Sequence, residues 1–571
     1  MKANEIPAYS CKPSTVKRIV HWIKKFILFD VRLITLAGLF LLSTSYQSHR
    51  NELLLMENDL FVPAFTDNLT VFFDQMTNAV NPTNGNSDLQ TLSLLRKFYS
   101  KQDYRPVWTS NTKVSEQAVI LLDLLDNAEM FGLDSSLFRI GEIRNEMNSM
   151  RNEHLHMHYL ENRMNVELLL TDACLQLLVF LKMGYQKFDS TLLSMPAVAN
   201  LPSYLNSALT SDDFKEYILS VQPTFMEYRK LQKALERFLS SIERTDARIT
   251  VPDPLKDSVL FRKVAEKALI DLGYLNPQST DTAFLLSLKK FQYYHGLEPD
   301  GKPGRNTCRA LAQTTEEKFR QIALNLDRLR KENLHTDHFI YVNIPAYQVR
   351  IYRMNKMVGN ARVIVGSVKT PTPLIDSKIE SIVTNPFWQV PRSITLNEML
   401  PKLKSDSGFL SRNRLKLMDE NSHTVAYDKI NWNTVSVKTF DLKLRQDAGK
   451  GNSLGHLKFV FPSPYPIYLH DTPGKNSFSR DYRALSHGCI RVQHPEMLAE
   501  YLVREFATQD NDVDILSLIN RGIHREISLD KPVDLYIHYL TCEADADYNI
   551  FFYNDIYGLD KKEAKRLEFL Q

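Results

Sequence analysis

Residues 485–492 read LSHGCIRV and bring a thiol, an imidazole and a glycine together at Cys489, His487 and Gly488. A cysteine attacks as its thiolate, and its ordinary pKa of about 8.5 falls when an imidazole or a cation lies beside it. Two histidines stand in range. His487 is two residues away, a spacing that puts both side chains on one face of an extended chain. His470 lies nineteen residues upstream, closing the strand-like PIYLH. The intervening DTPGKNSFSRDYRAL has the Pro, Gly, Asn and Ser of a loop that can return the chain to a neighbouring strand. Gly488 suits a tight turn that aims backbone N–H groups at one point, as an oxyanion hole requires. A cysteine–histidine pair of this kind performs acyl transfer through a thioester. Two plainer readings stand beside it. A strand cysteine is commonly core, since free cysteine is among the most buried residue types. Cys489, His470 and His487 also supply three zinc donors, although no fourth follows at the spacing of a structural site.

The elements that must carry these residues differ along the chain. The chain has 571 residues, 43% apolar and 24% charged, which suits several folded domains. A net charge of +3 without a clustered basic face gives no reason to expect a nucleic-acid partner. Residues 51–256 have helical periodicity, as in NVELLLTDACLQLLVFLKMGY, where Glu167 and Asp172 favour a buried helix over a membrane span. Residues 257–312 read as three short helices, and 313–335 as a connecting helix. From 336 onward the alternation of apolar and polar residues in FIYVNI, YQVRIYR and ARVIVGS is that of strands. The expected fold is therefore multidomain α+β: a helical scaffold, a small three-helix domain and a mainly-β domain ending in a hairpin.

The first 50 residues form a targeting segment. Lys12, Lys17, Arg18, Lys24 and Lys25 precede the apolar run from Leu33 to Leu42, and Glu52, Glu57 and Asp59 follow it. That asymmetry predicts an N-in, C-out orientation. A retained single-pass anchor is favoured over a cleaved signal peptide, and both export the remainder. The chain has five cysteines, none in a C-x-x-C pair. An odd number in an oxidising compartment leaves at least one thiol outside any intramolecular disulfide.

Two segments resemble known families. FQYYHGLEPDG with the later Gly304 and Thr307 resembles the peptidoglycan-binding domain of three helices, through Phe291, Gln292, Gly296, Leu297, Asp300 and Gly301. His470, then fifteen residues, then Ser486-His487-Gly488-Cys489-Ile490-Arg491 resembles the signature of the L,D-transpeptidase catalytic domain. NPFWQVPRSI and NEMLPKL are similar to a cap insertion in one subfamily, placed here at about 385–450, and RQDAGKGNSLGHLKF to another family segment. Ala448 and Lys450 depart from the latter's pattern, which puts substrate contacts there in doubt.

The resemblance implies Cys489 as nucleophile, His470 as general base and ion-pair partner, and His487 as a shaping residue. It implies an oxyanion hole at the N–H groups of Gly488 and Cys489. Arg480, Arg483, Arg491, Ser486, Trp388 and Tyr468 become substrate-binding candidates, the arginines because a guanidinium grips carboxylates bidentately. It further implies a periplasmic enzyme without metal or cofactor, acting on peptidoglycan stem peptides and glycan to form 3→3 crosslinks. Carbapenem-type β-lactams would then be covalent inhibitors. A hydrolase on the same scaffold, of L,D-carboxypeptidase or amidase type, and a non-catalytic wall-binding protein are the rival expectations.

Overall fold

The structure is a computed structural model that describes residues 61–76, 89–110, 113–152, 159–332, 334, 336–507 and 513–565. The segment 1–50, on which the anchor reading rests, lies outside them. The described chain divides into two compact units, one reaching to Thr224 with Leu326–Glu332, the other holding Phe225–Asn325 and the residues from 334 on.

The first unit is helical. Tyr159–Met183 is long and apolar enough to cross a membrane, yet Val166, Leu170, Cys174, Leu177 and Leu181 on it are fully buried in the protein core. Glu167 and Asp172 are buried with them. Glu167 accepts from the N–H groups of Trp108 (2.8 Å) and Thr109 (2.6 Å), and Asp172 from the N–H (2.8 Å) and hydroxyl (2.6 Å) of Thr91. A carboxylate withdrawn from water is tolerable only when bonded in this way. The bonds also staple two connections onto the helix.

The helix Met226–Ser241 belongs to the second unit, where Arg237 lies 4.6 Å over the Tyr548 ring. Helices Ser258–Asp271, Asp281–Tyr294 and Arg305–Leu311 close on a core of Phe261, Leu269, Phe284, Leu288 and Phe291. Asp257 and Thr280 begin the first two by accepting the N–H groups of Leu260 and Ala283. This three-helix domain is not a compact unit of its own. Tyr294 packs against Phe551, and His295 stacks on Phe552, with centroids 4.9 and 5.5 Å apart.

The strands are β1 (His338–Asn343), β2 (Gln348–Arg353), β3 (Lys356–Gly366), β4 (Ile375–Thr384), β5 (Trp388–Gln389), β6 (Leu415–Met418), β7 (Thr424–Val425) and β8 (Lys443–Gln446). There follow β9 (Leu457–Val460), β10 (Leu469–His470), β11 (Ala484–Ser486), β12 (Ile490–Val492), β13 (Arg525–His538), β14 (Cys542–Ala544) and β15 (Ile550–Phe552). One sheet runs β11-β3-β12-β10-β9-β4-β13-β1-β2, and β2 pairs again with β3, so it curls closed. The helix Pro495–Phe506 buries Leu498, Ala499, Leu502 and Val503 against its inner residues. Each fully buried leucine or valine there contributes about 1.5–3 kcal/mol. The 385–450 insertion builds a separate sheet, β5-β8-β6-β7, over its own core of Val390, Leu400, Leu403, Leu417 and Leu444. The tail splits in two. PVDLYIH joins the large sheet as part of β13, and only β14 and β15 form the hairpin.

Candidate active site

Strand β10 runs antiparallel to β9 and parallel to β12, with His470 opposite Lys458 on one side and Arg491 on the other. Side chains alternate across strands. Leu457, Phe459, Leu469, Ile490 and Val492 enter the core. Lys458, Tyr468, His470 and Arg491 share the opposite face, with Cys489 just before β12. The rings of Tyr468 and His470 lie 5.6 Å apart, and the Lys458 ammonium stands 4.4 Å over the Tyr468 ring. The Tyr468 hydroxyl lies near the Cys489 thiol and Trp388 of the insertion, and the thiol donates to the Pro466 carbonyl at 3.9 Å. Cys489 is a free, half-buried cysteine.

The turn before Cys489 is held from several directions. Gly488 has φ +116°, which strains any residue bearing a Cβ. Ser486 Oγ accepts the Gly488 N–H at 3.1 Å and donates to the Cys489 carbonyl at 2.5 Å. Thr372 donates to the Gly488 carbonyl and accepts the Gly366 N–H, both at 2.8 Å. The Tyr557 hydroxyl completes the chain, donating to the Gly366 carbonyl at 2.6 Å and accepting the Thr372 N–H at 3.1 Å.

The electrostatics favour neutral groups at rest. Burial pushes the Cys489 thiol up. The backbone N–H and hydroxyl of Tyr468 and the charges of Arg491 and Lys458 oppose the shift without overcoming it. Burial pulls His470 down to about 3, and the Arg491 charge adds to this. The His470 Nδ1 hydrogen-bonds to the Asp471 carbonyl, so Nδ1 carries the proton and Nε2 is left as the basic nitrogen. Burial thus disfavours the charged forms of both groups, and with them a resting thiolate–imidazolium pair.

The remaining expected residues are dispersed. The chain bends at 487–488, where His487 is exposed and its Nε2 pairs with Glu398 of the insertion at 2.8 Å. The Gly488 N–H expected in an oxyanion hole is taken by Ser486, and Ser486 is itself 3% exposed, a turn residue and not a substrate contact. Arg483 is buried, donates to the Arg480 carbonyl at 2.6 Å and lies 4.9 Å over the Tyr347 ring. Arg480 is exposed. Arg491 stays on the site face, with a buried Nε that has no hydrogen-bond partner among the described residues. In the three-helix domain, Phe291 is core. Gln292 accepts the Gly301 N–H at 2.8 Å, and its amide also bonds to Asp300 and the Lys302 carbonyl. These signature residues fold the loop and do not face solvent together. Gly296 has φ +64°, and a Cβ there would meet Tyr553 at 2.7 Å.

Sequence reasoning missed Lys458, Thr372, Tyr557 and Glu398. Lys458 had a signal, as a cation set between the core residues Leu457 and Phe459. The others are joined to the site only by folding. Among the described residues no group of three or more His, Cys, Asp or Glu is arranged to hold a metal ion.

A half-buried thiol and a buried imidazole on adjacent strands, with cations on the same face, are groups from which an acyl-transfer site can be built. Residues 337–514 match the L,D-transpeptidase catalytic domain family, 93–235 a scaffold domain and 261–311 a peptidoglycan-binding domain. Two segments of the chain are thus similar to an L,D-transpeptidase catalytic domain and to a peptidoglycan-binding domain. A provisionally named L,D-transpeptidase of Haemophilus influenzae is 35% identical over 243 residues, 42% of this chain and 48% of that protein. The chain thus spans about half the length of the curated relative it matches. A crystal structure of an L,D-transpeptidase from Stackebrandtia nassauensis is 12% identical, with 49% of this chain and 90% of that one covered; its TM-score of 0.18 gives the likeness no weight.

Proposed function

We propose that this protein is a peptidoglycan L,D-transpeptidase that forms 3→3 crosslinks through a thioester on Cys489. The observation that carries this reading is the shared face of β9, β10 and β12, which gathers Cys489, Tyr468, His470, Lys458 and Arg491 inside the segment that matches the catalytic family. In the first half-reaction His470 Nε2 takes the thiol proton as Sγ attacks the carbonyl of the donor's L,D peptide bond. The Cys489 N–H serves the developing oxyanion, since the Gly488 N–H is engaged by Ser486. His470 returns the proton to the departing D-residue amine, leaving a thioester. An amine from a second stem then attacks, passes its proton to His470, and restores the thiol as the new amide forms. Lys458 and Arg491 lower the cost of negative charge on sulfur during each attack. Trp388 of the insertion and Tyr468 stand near the thiol and are candidates to contact the donor stem.

The basic-then-apolar segment 1–50 supports anchoring in a membrane with the enzyme on the outer side, where stem peptides lie. A strained β-lactam amide of the carbapenem type would acylate the same sulfur. The test incubates the purified chain with disaccharide-tetrapeptides and resolves products by mass. Crosslinked dimers, lost in Cys489→Ala, are expected. Tripeptides without dimers would replace the transferase by a hydrolase, and unchanged substrate would leave a wall-binding protein.

A further inference from the structure

A buried carboxylate stands one residue past the imidazole of the thiol site. Asp471 is 2% exposed, and a carboxylate so placed is tolerable only when its oxygens are bonded. One oxygen accepts the Thr472 N–H at 2.7 Å and the Lys475 ammonium at 2.5 Å, and the other accepts the His456 N–H at 2.8 Å. The chain at Gly455 passes so close that a Cβ there would collide with the carboxylate. The Asp471 N–H is engaged as well, donating to the Leu457 carbonyl at 2.8 Å. Residue 471 is therefore bonded both to the loop that follows it and to the segment that enters β9.

These bonds fix what the His470 ring meets. Its Nδ1 donates to the Asp471 carbonyl, and the Leu454 carbonyl also bonds to the ring. Both carbonyls belong to chain that the carboxylate holds. The charge matters separately. When Nε2 takes the thiol proton, the ring becomes a cation inside the protein. Burial and the Arg491 charge oppose that cation, while the two carbonyls and the negative charge of Asp471 favour it.

Lys475 meets the same carboxylate from the solvent side. Its side chain is 49% exposed, against 3% for Asp471. A cation there cancels part of the carboxylate's field at the ring. The two partners of one ion pair thus act on the imidazole with opposite sign. Support of the loop alone has no such asymmetry, because removing either partner breaks the same contact.

We infer that Asp471 is a positioning residue for His470: its carboxylate holds the two carbonyls that bond to the ring and offsets the charge the ring acquires with the thiol proton, while Lys475 limits that offset. The inference rests on the reading of Cys489 and His470 as nucleophile and base, and adds what lets a buried imidazole carry a proton. The test breaks one ion pair from its two ends, with the full chain in detergent and disaccharide-tetrapeptide as donor. Dimers and tripeptides are counted together by mass spectrometry. Asp471→Asn keeps the shape and removes the charge. It is expected to lower kcat about tenfold, the equivalent of one unit of imidazole basicity, and to leave KM unchanged because the carboxylate is buried. Lys475→Met is expected to raise kcat about twofold, a smaller effect because its charge is half in solvent. A fall in both variants, or no change in Asp471→Asn, would overturn the inference. A second measurement needs neither turnover nor the Asp471 variant: nitrogen NMR of the histidine-labelled Cys489→Ala chain, followed from about pH 7 down to about pH 4. The His470 ring is expected to gain its proton at a higher pH when Lys475→Met is added. The reverse order, or no difference, would remove the inference. If the wild type yields neither product, the transpeptidase reading fails, and the NMR order alone decides the part played by Asp471.

Discussion

Cys489 should behave as a thiol and not as a preformed thiolate, although histidines flank it in the sequence. Burial raises the thiol above its reference of 9.0 and lowers His470 to about 3. Moving the proton from one to the other at rest is therefore unfavourable, since both shifts oppose the charged forms. At about pH 7 the thiolate is therefore the minor form. Alkylation by iodoacetamide, followed at Cys489 by peptide mass spectrometry, should climb about tenfold per pH unit from about pH 6 to about pH 9. Lys458→Met should lower the rate at every pH in that range, because it removes a charge that stabilises the thiolate. His470→Asn should leave the slope in place. A rate that levels off below about pH 7 in the wild type and loses that plateau in His470→Asn would refute the reasoning, since only an ion pair produces it.

Two further outcomes follow from buried polar groups. Lys318 is 1% exposed, bonded to His295 at 2.8 Å, and brought down to about 7 by burial. Its depressed pKa means that stability present above about pH 10.5 is lost as pH falls toward 7, by about 5 kcal/mol in all. Lys318→Met should therefore stabilise the protein by a few kcal/mol near neutral pH in urea titrations, with the gain vanishing near pH 10.5; a loss at neutral pH would contradict this. Thr372→Val would strand the buried Gly366 N–H and Gly488 carbonyl. The expected cost is about 2–5 kcal/mol of stability, with slower acylation of Cys489 by a β-lactam in stopped flow; unchanged values would show that the turn does not depend on this bridge.

Much of the architecture could be read from the chain. The alternation of FIYVNI, YQVRIYR and ARVIVGS became β1, β2 and β3, and LSHGCIRV became strand, bend and strand. Glu167 and Asp172 marked a long apolar helix as core, and the structure places them inside it with partners for each. Period-two alternation assumes an extended chain, and at Gly488, with φ +116°, the chain is not extended. Loop position offered Arg483 as a substrate ligand, and packing buried it behind Tyr347.

The sequence by itself determined the thiol, the histidine on the strand before it, and the glycine between the thiol and Ser486. These are local in the chain, and their spacing follows from turn and strand geometry. Tertiary structure decided which of them are charged and what else joins them. Lys458 reaches the site because β9 lies against β10, and Trp388 because the insertion folds over it. Thr372 and Tyr557 support the turn from segments more than sixty residues away on either side. Burial, which no local spacing encodes, removes the water that would have stabilised an ion pair and leaves the two central groups neutral until substrate arrives.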